Sequence, residues 1–172
     1  ARVRAGEWVS DPVVTAALEQ LRARADKALG RGPYSVVTHG DLPPSGDPHD
    51  YVSYGTYWWP NPDTPDGLPY VRRDVVSNKE IAAKGDDRVL DAIVDDVTNL
   101  SLAGYLLKEP KYSHHAAKLL RAWFLDPDTR MNPHLRHGQM VLGRDTGRQY
   151  GIIDTYCFAT CIDSALLLEL SD

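Results

Sequence analysis

Six aromatic residues crowd into one proline-rich stretch of this sequence: Tyr51, Tyr54, Tyr57, Trp58, Trp59 and Tyr70. Residues 41 to 70 hold seven of the twelve prolines and six of the fifteen aromatics. Loops this long are functional or disordered, and disordered segments are poor in aromatics, so the composition favours function. A second stretch, residues 126 to 151, gathers Arg130, Arg136, Arg144 and Arg148 with His134, His137, Asn132 and Gln139 against three acids. Flat aromatic faces stack on the apolar faces of sugar rings, while amide and guanidinium groups hold hydroxyls and carboxylates. An aromatic loop beside a basic one describes a binding site for an acidic polysaccharide.

Each feature also has a plainer reading. Trp58-Trp59 would place at least one indole in the core beneath the loop. Tyr51, Tyr54 and Tyr57, spaced by three between polar or small residues, are harder to assign to packing, and at least one is expected to face ligand. Arg144 and Arg148 flank Asp145, and an exposed ion pair of that kind contributes little. Gly147 and Gly151 bracket Arg148, however, and would let backbone approach a ligand closely.

Four helical segments must carry these loops. The first opens at Ser10-Asp11-Pro12, a cap followed by a proline whose missing N–H does no harm, and closes at Gly30. The second runs from about Asp87 to Lys108 with an apolar stripe at helical spacing, and Pro110 stops it. The third follows from about Ser113 to Leu125, so near that the two should form an antiparallel pair. The last, Ile152 to Leu170, is apolar over most of its circumference and should be covered on several sides before it stops at Ser171-Asp172. Tyr34 to Thr38 reads as a short extended piece, and nothing reads as a sheet. The fold class expected is all-α.

At 172 residues the chain is long enough for one domain with a buried core. No apolar run approaches the roughly 20 residues that span a bilayer, so no membrane partner is expected. Ala1 to Glu7 has no apolar segment of the signal-peptide kind. A net charge of −5 without a basic block argues against nucleic acid. Cys157 and Cys161, four apart on a helix, read as two small buried thiols, and no ligand set stands at zinc spacing. Asn99-Leu100-Ser101 matches a glycosylation sequon but falls inside the second helix, where it reads as chance.

Beyond residue chemistry, the loops resemble a known family. Leu42-Pro43-Pro44-Ser45-Gly46-Asp47-Pro48-His49-Asp50-Tyr51 and Tyr57-Trp58-Trp59-Pro60-Asn61-Pro62-Asp63-Thr64-Pro65-Asp66-Gly67-Leu68-Pro69-Tyr70 resemble the alginate-lyase-like polysaccharide lyases. So do Ala122-Trp123-Phe124-Leu125-Asp126-Pro127-Asp128-Thr129-Arg130-Met131-Asn132-Pro133, Gly147-Arg148 and Gly151-Ile152-Ile153-Asp154. The resemblance implies part of an incomplete (α/α) toroid, or barrel, of antiparallel helix pairs, with long loops over a cleft that holds the polymer. It implies β-elimination on a uronic-acid polymer, no cofactor, no metal, and a secreted or periplasmic setting. It maps Tyr51, Tyr57, Trp58 and Trp59 to a lid, and Asn132, Gln139 and Arg148 to the cleft; Tyr54 joins them as a substrate-binding candidate on its spacing. The base is commonly Tyr or His in such enzymes, which directs attention to Tyr57 and His137.

The family's catalytic His usually stands in an Asn-Asn-His stretch, which this chain lacks. About four helices also cannot close a toroid of ten or more. The 172 residues are therefore expected to be a single domain forming the N-terminal portion of a longer one. Three other readings compete. A non-catalytic acidic-polysaccharide-binding module, or an inactive fragment of such a lyase, would use the same aromatics without a base. A glycosidase would need two carboxylates across the cleft, and no pair stands out among Asp47, Asp50, Asp63, Asp66 and Asp154. A helical domain whose loops only pack is the third.

Overall fold

The Asp11 carboxylate accepts a hydrogen bond from the Val13 amide at 2.8 Å, and Pro12 follows at the first helical position, so the first helix starts where its cap chemistry dictates. The computed structural model describes residues 11–38 and 42–170. Ser10 and Ser171-Asp172, read as parts of a cap and a stop, lie outside the described residues, as do Ala1 to Glu7. In chain order the elements are α1 (Pro12–Ala28), β1 (Val52–Tyr54), β2 (Trp58–Trp59), β3 (Val71–Arg72), α2 (Lys79–Ala82), α3 (Asp87–Leu107), α4 (Pro110–Phe124), β4 (His137–Met140) and α5 (Phe158–Glu169). Short 3₁₀ segments cover Val36–Thr38 and Gln149–Thr155.

The helical reading of α1 and α3 agrees with the structure within a residue or two at each end. Pro110 differs: it begins α4 instead of only ending α3, because a proline at a first helical turn forfeits no internal hydrogen bond. Only Lys108 and Glu109 separate the two helices, and Lys108 makes the reversal with a left-handed φ of 57°. Tyr34 to Thr38 is not extended; Val36–Thr38 forms a 3₁₀ turn, with the Ser35 hydroxyl accepting from the Val37 amide at 3.1 Å.

The expectation of no sheet is corrected. β1 pairs with β4 in parallel and β2 pairs with β3 antiparallel, each a two-stranded ribbon. Strands of two to four residues are too short to display a period-two pattern. The last segment is also not one helix. It is a 3₁₀ stretch, a turn and α5, with Cys157, Cys161 and Ser164 buried but Ile152, Ile153, Ile162 and Leu166 exposed, so it is covered on one side and not on several. By length and composition alone Gln149–Glu169 would pass for a membrane span, contrary to the sequence reading. Its α-helical part is 12 residues, about 18 Å at 1.5 Å per residue, short of the roughly 30 Å of a bilayer core.

The chain divides into two compact units. The described parts of Ala1–Tyr34, Asp91–Ala122 and Cys157–Asp172 make the helical one. Ile93, Val97, Leu100, Tyr112, Ala116 and Leu119 are fully or almost fully buried there, as the α3 and α4 stripes require. Asp96, buried, accepts hydrogen bonds from Tyr34 at 2.7 Å and from Arg31, which ties the segment after α1 to α3. Cys157 and Cys161 are buried thiols not joined in a disulfide, as expected, and burial raises the Cys161 thiol above its ordinary range. Asn99 is buried within α3, consistent with a chance sequon.

Ser35–Leu90 and Trp123–Tyr156 make the second unit, which contains both ribbons and both long loops. Trp123, fully buried, donates its indole N–H to the Met131 sulfur at 3.0 Å and anchors the start of the basic loop. Val52, Tyr54, Ile81 and Met140 form a small apolar cluster under the β1–β4 ribbon.

Candidate functional site

The β1–β4 ribbon contains an irregularity that shapes everything around it. Val52 pairs with His137 and Tyr54 with Met140, so β4 has one residue more than β1 between those pairs. Such a bulge re-aims side chains and is common beside active sites. Gln139 sits in it with a φ of 54°, a left-handed conformation uncommon for a residue other than glycine. Three bonds secure it. Its amide N–H donates to Ser53 Oγ at 2.7 Å, its side chain donates to Asp154 Oδ1 at 2.9 Å, and its carbonyl accepts the Arg148 Nε–H.

Asp154 is the acceptor that organises this floor. Besides Gln139 it receives the Tyr51 hydroxyl at 3.2 Å and the Ser53 hydroxyl. Burial, and then the neighbouring Asp154 carboxylate, push the Tyr51 phenol far above its ordinary range, so Tyr51 stays a protonated donor. Glycines Gly138 and Gly151 let the two backbones meet: a Cβ on Gly138 would stand 2.9 Å from the Gly151 Cα. That close approach brings the 3₁₀ segment, with Asp154 on it, against β4.

Above this floor lies a cleft of about 560 Å³ lined by Tyr57, Trp58, Arg72, Gln139, Arg148 and Tyr150 among others. The volume falls within the range usual for small-ligand sites. The Arg148 guanidinium lies 5.8 Å from the Trp58 ring centre and 5.5 Å from that of Tyr150, held by two aromatic faces while its Nε bonds to Gln139. Arg144 also approaches Trp58, at 5.0 Å. Tyr57 is 48% exposed and stands on the cleft lining. Chemically this is a cationic, aromatic-walled groove with two exposed tyrosines, Tyr57 and Tyr150, on its lining.

The sequence candidates therefore separate. Tyr57, Trp58, Gln139 and Arg148 come together at the cleft. Tyr51 and Tyr54 do not: both are buried, Tyr51 just before β1 and Tyr54 at its end, so of the three evenly spaced tyrosines it is Tyr57 that stands at the cleft. Trp59 stands outside the cleft lining, donating to the Val76 carbonyl at 3.0 Å under the Arg73 guanidinium at 5.7 Å.

His137 and Asn132 belong to a different arrangement, centred on the buried Asp50. Asn132 donates to Asp50 at 2.7 Å and to Asp47 at 3.0 Å; Ser45 donates to Asp50 at 2.7 Å; His134 Nε2 lies 3.0 Å away. His137 is 5% exposed, donates its Nδ1–H to the Thr146 carbonyl at 2.7 Å, and turns Nε2 toward Asp50 at 3.5 Å. Burial alone would raise the Asp50 carboxyl. The hydrogen bonds from Asn132 and Ser45, with His134 and His137 alongside, outweigh it and hold that carboxyl below its ordinary value. His137, expected as a candidate base, thus has its ring committed to loop structure and does not line the cleft.

Sequence reasoning missed Tyr150 and Arg72 as cleft residues and Ser53 as the pin of the bulge. Tyr150 had a signal, standing two residues beyond Arg148; a serine inside a three-residue strand had none. Asp50 and Asp154, weighed as glycosidase acids, are both buried and hydrogen-bonded. Among the described residues no group of three or more His, Cys, Asp or Glu is arranged to hold a metal ion.

The alginate lyase family model matches residues 35–172. A crystal structure of an alginate lyase from Bacteroides ovatus is 43% identical in sequence, with a TM-score of 0.92, over 100% of this chain and 46% of its own. The chain thus spans less than half the length of that solved relative. No curated protein matches it.

Proposed function

The chain belongs to the alginate lyase family, and on that premise we propose that it supplies the substrate-gripping cleft of a polysaccharide lyase acting by β-elimination on a uronic-acid polymer of the alginate or glucuronan type. The observation that carries this reading is the guanidinium of Arg148, held between Trp58 and Tyr150 in the same cleft as the exposed Tyr57. A uronate carboxylate meets the free edge of that guanidinium in a charge-assisted pair. Offsetting the carboxylate charge makes the C5 proton removable. A base takes that proton, its electrons form the C4–C5 double bond, the C4–O4 bond breaks, and O4 leaves with a proton from an acid.

Tyr57 is the candidate for proton transfer carried forward, because it is exposed on the cleft lining, where Tyr150 packs on Arg148 and the other candidate, His137, is buried beside Asp50. Gln139 offers its bulged position as the cleft floor, and Trp58 acts chiefly by carrying Arg144 and Arg148. Trp59 and Asn132 act through the loops they brace. In the same reading the helices are one part of an incomplete (α/α) toroid, and the enzyme works outside the cytoplasm, where such polymers lie.

The test is ultraviolet absorbance of the protein with polymannuronate, polyguluronate and glucuronan in parallel. A rise with one polymer reports the unsaturated product and names the substrate. Folded protein that binds none of the three and yields no product would sink the proposal.

A further inference from the structure

Gly55 follows β1 and has no special conformation to explain it; what singles it out is the space its missing side chain leaves. A Cβ there would stand 2.5 Å from Arg148 Nη2 and 2.7 Å from Trp58 Cδ1, both inside any real contact distance. The backbone is not free to yield, since the Gly55 amide donates to the Met140 carbonyl at 2.9 Å and its own carbonyl accepts the Trp58 amide at 3.2 Å. The Arg148 guanidinium is the end of a flexible side chain and moves at small cost. A side chain at position 55 therefore displaces the cation and presses on the Trp58 indole that the cation rests against.

We infer that Gly55 is a positioning residue for the cleft: its lack of a side chain seats the Arg148 guanidinium against Trp58 and Tyr150, and so sets where a carboxylate can dock. Gly55 touches no substrate itself and acts through Arg148. That the docked carboxylate is a uronate's rests on the function proposed above; the seating of Arg148 does not.

Two measurements on Gly55→Ala separate these. The first is the Arg148 Nε–H resonance in a nitrogen-15 correlation spectrum, assigned by its loss in Arg148→Lys. It is sheltered by the Gln139 carbonyl in the wild type and should move or vanish in Gly55→Ala while the backbone amide pattern away from the cleft persists. The second is affinity for a mannuronate tetramer across a double-mutant cycle. Gly55→Ala should weaken binding about tenfold, and Gly55→Ala/Arg148→Ala should bind no worse than Arg148→Ala alone. An unmoved resonance overturns the inference, and so do losses that simply add. If wild type binds no uronate oligomer, the proposed substrate is overturned, and the resonance still decides the role of Gly55. Should Gly55→Ala fail to fold, folding restored in the double variant supports the clash with Arg148, and failure there too assigns Gly55 to structure alone.

Discussion

Arg148 is fixed by its Nε–H on the Gln139 carbonyl and by two aromatic faces, and in the function proposed above its Nη edge takes the ligand carboxylate. Replacing it by alanine removes a charge-assisted pair, and affinity for acidic oligosaccharides should fall at least tenfold, about 1.4 kcal/mol. Isothermal titration checks this, with a neutral oligosaccharide expected to show little change. Tyr57→Phe keeps the ring and deletes the hydroxyl, so it should retain tetramer binding and abolish any absorbance rise from product. Asp50 belongs to stability instead. Its carboxyl is held below the ordinary value in the fold, so the stabilisation it confers is full above the ordinary carboxylate range and drains away as pH falls through the folded value. Asp50→Asn should cost about 1–3 kcal/mol near neutral pH and flatten the acid limb of stability. Urea unfolding from pH 7 down to 3 reads both; an unchanged acid limb would remove Asp50 from the account.

Among the elements, the β1–β4 ribbon is small and decisive. Its bulge turns Gln139 into the left-handed region, and the Gly138–Gly151 contact sets Asp154 beneath it. Gly138→Ala places a Cβ 2.9 Å from the Gly151 backbone and 3.2 Å from the Leu135 carbonyl, neither of which is a flexible tip. Overpacking of that kind costs about 1–3 kcal/mol, so the urea midpoint should drop with the slope unchanged. The same variant should weaken acidic-sugar binding, since the Arg148 anchor rests on that bulge.

At the scale of the whole chain, α5 leaves Ile162 and Leu166 exposed one turn apart, an apolar stripe on its surface. Exposed apolar stripes promote association. The 172-residue chain should therefore self-associate as concentration rises, and Ile162→Lys/Leu166→Lys should suppress this without loss of helicity. Light scattering after size exclusion, with circular dichroism alongside, decides it; equal association in both proteins would clear the stripe of blame.

Much of this was legible in the residues. Asp11-Pro12, the α3 stripe and the crowded aromatics of residues 41 to 70 announce caps, a helix and a working loop, because each depends on local spacing or composition. Tyr57 and Trp58 from the aromatic stretch share the cleft lining with Arg148 from the basic one, an association that the residue types of the two stretches suggest. Tertiary structure alone decided which aromatics line the cleft and which pack. Tyr51 and Tyr57 lie six residues apart in loops of similar composition, yet one is a buried donor to Asp154 and the other lines the cleft. His137 and Arg148 come from one loop, the first a candidate base and the second a candidate cleft residue, and the fold buries His137 beside Asp50 while placing Arg148 on the cleft lining. Burial and partner choice depend on residues about 85 to 103 positions away, such as Ser53 to Gln139 and Tyr51 to Asp154, and no local pattern carries that information.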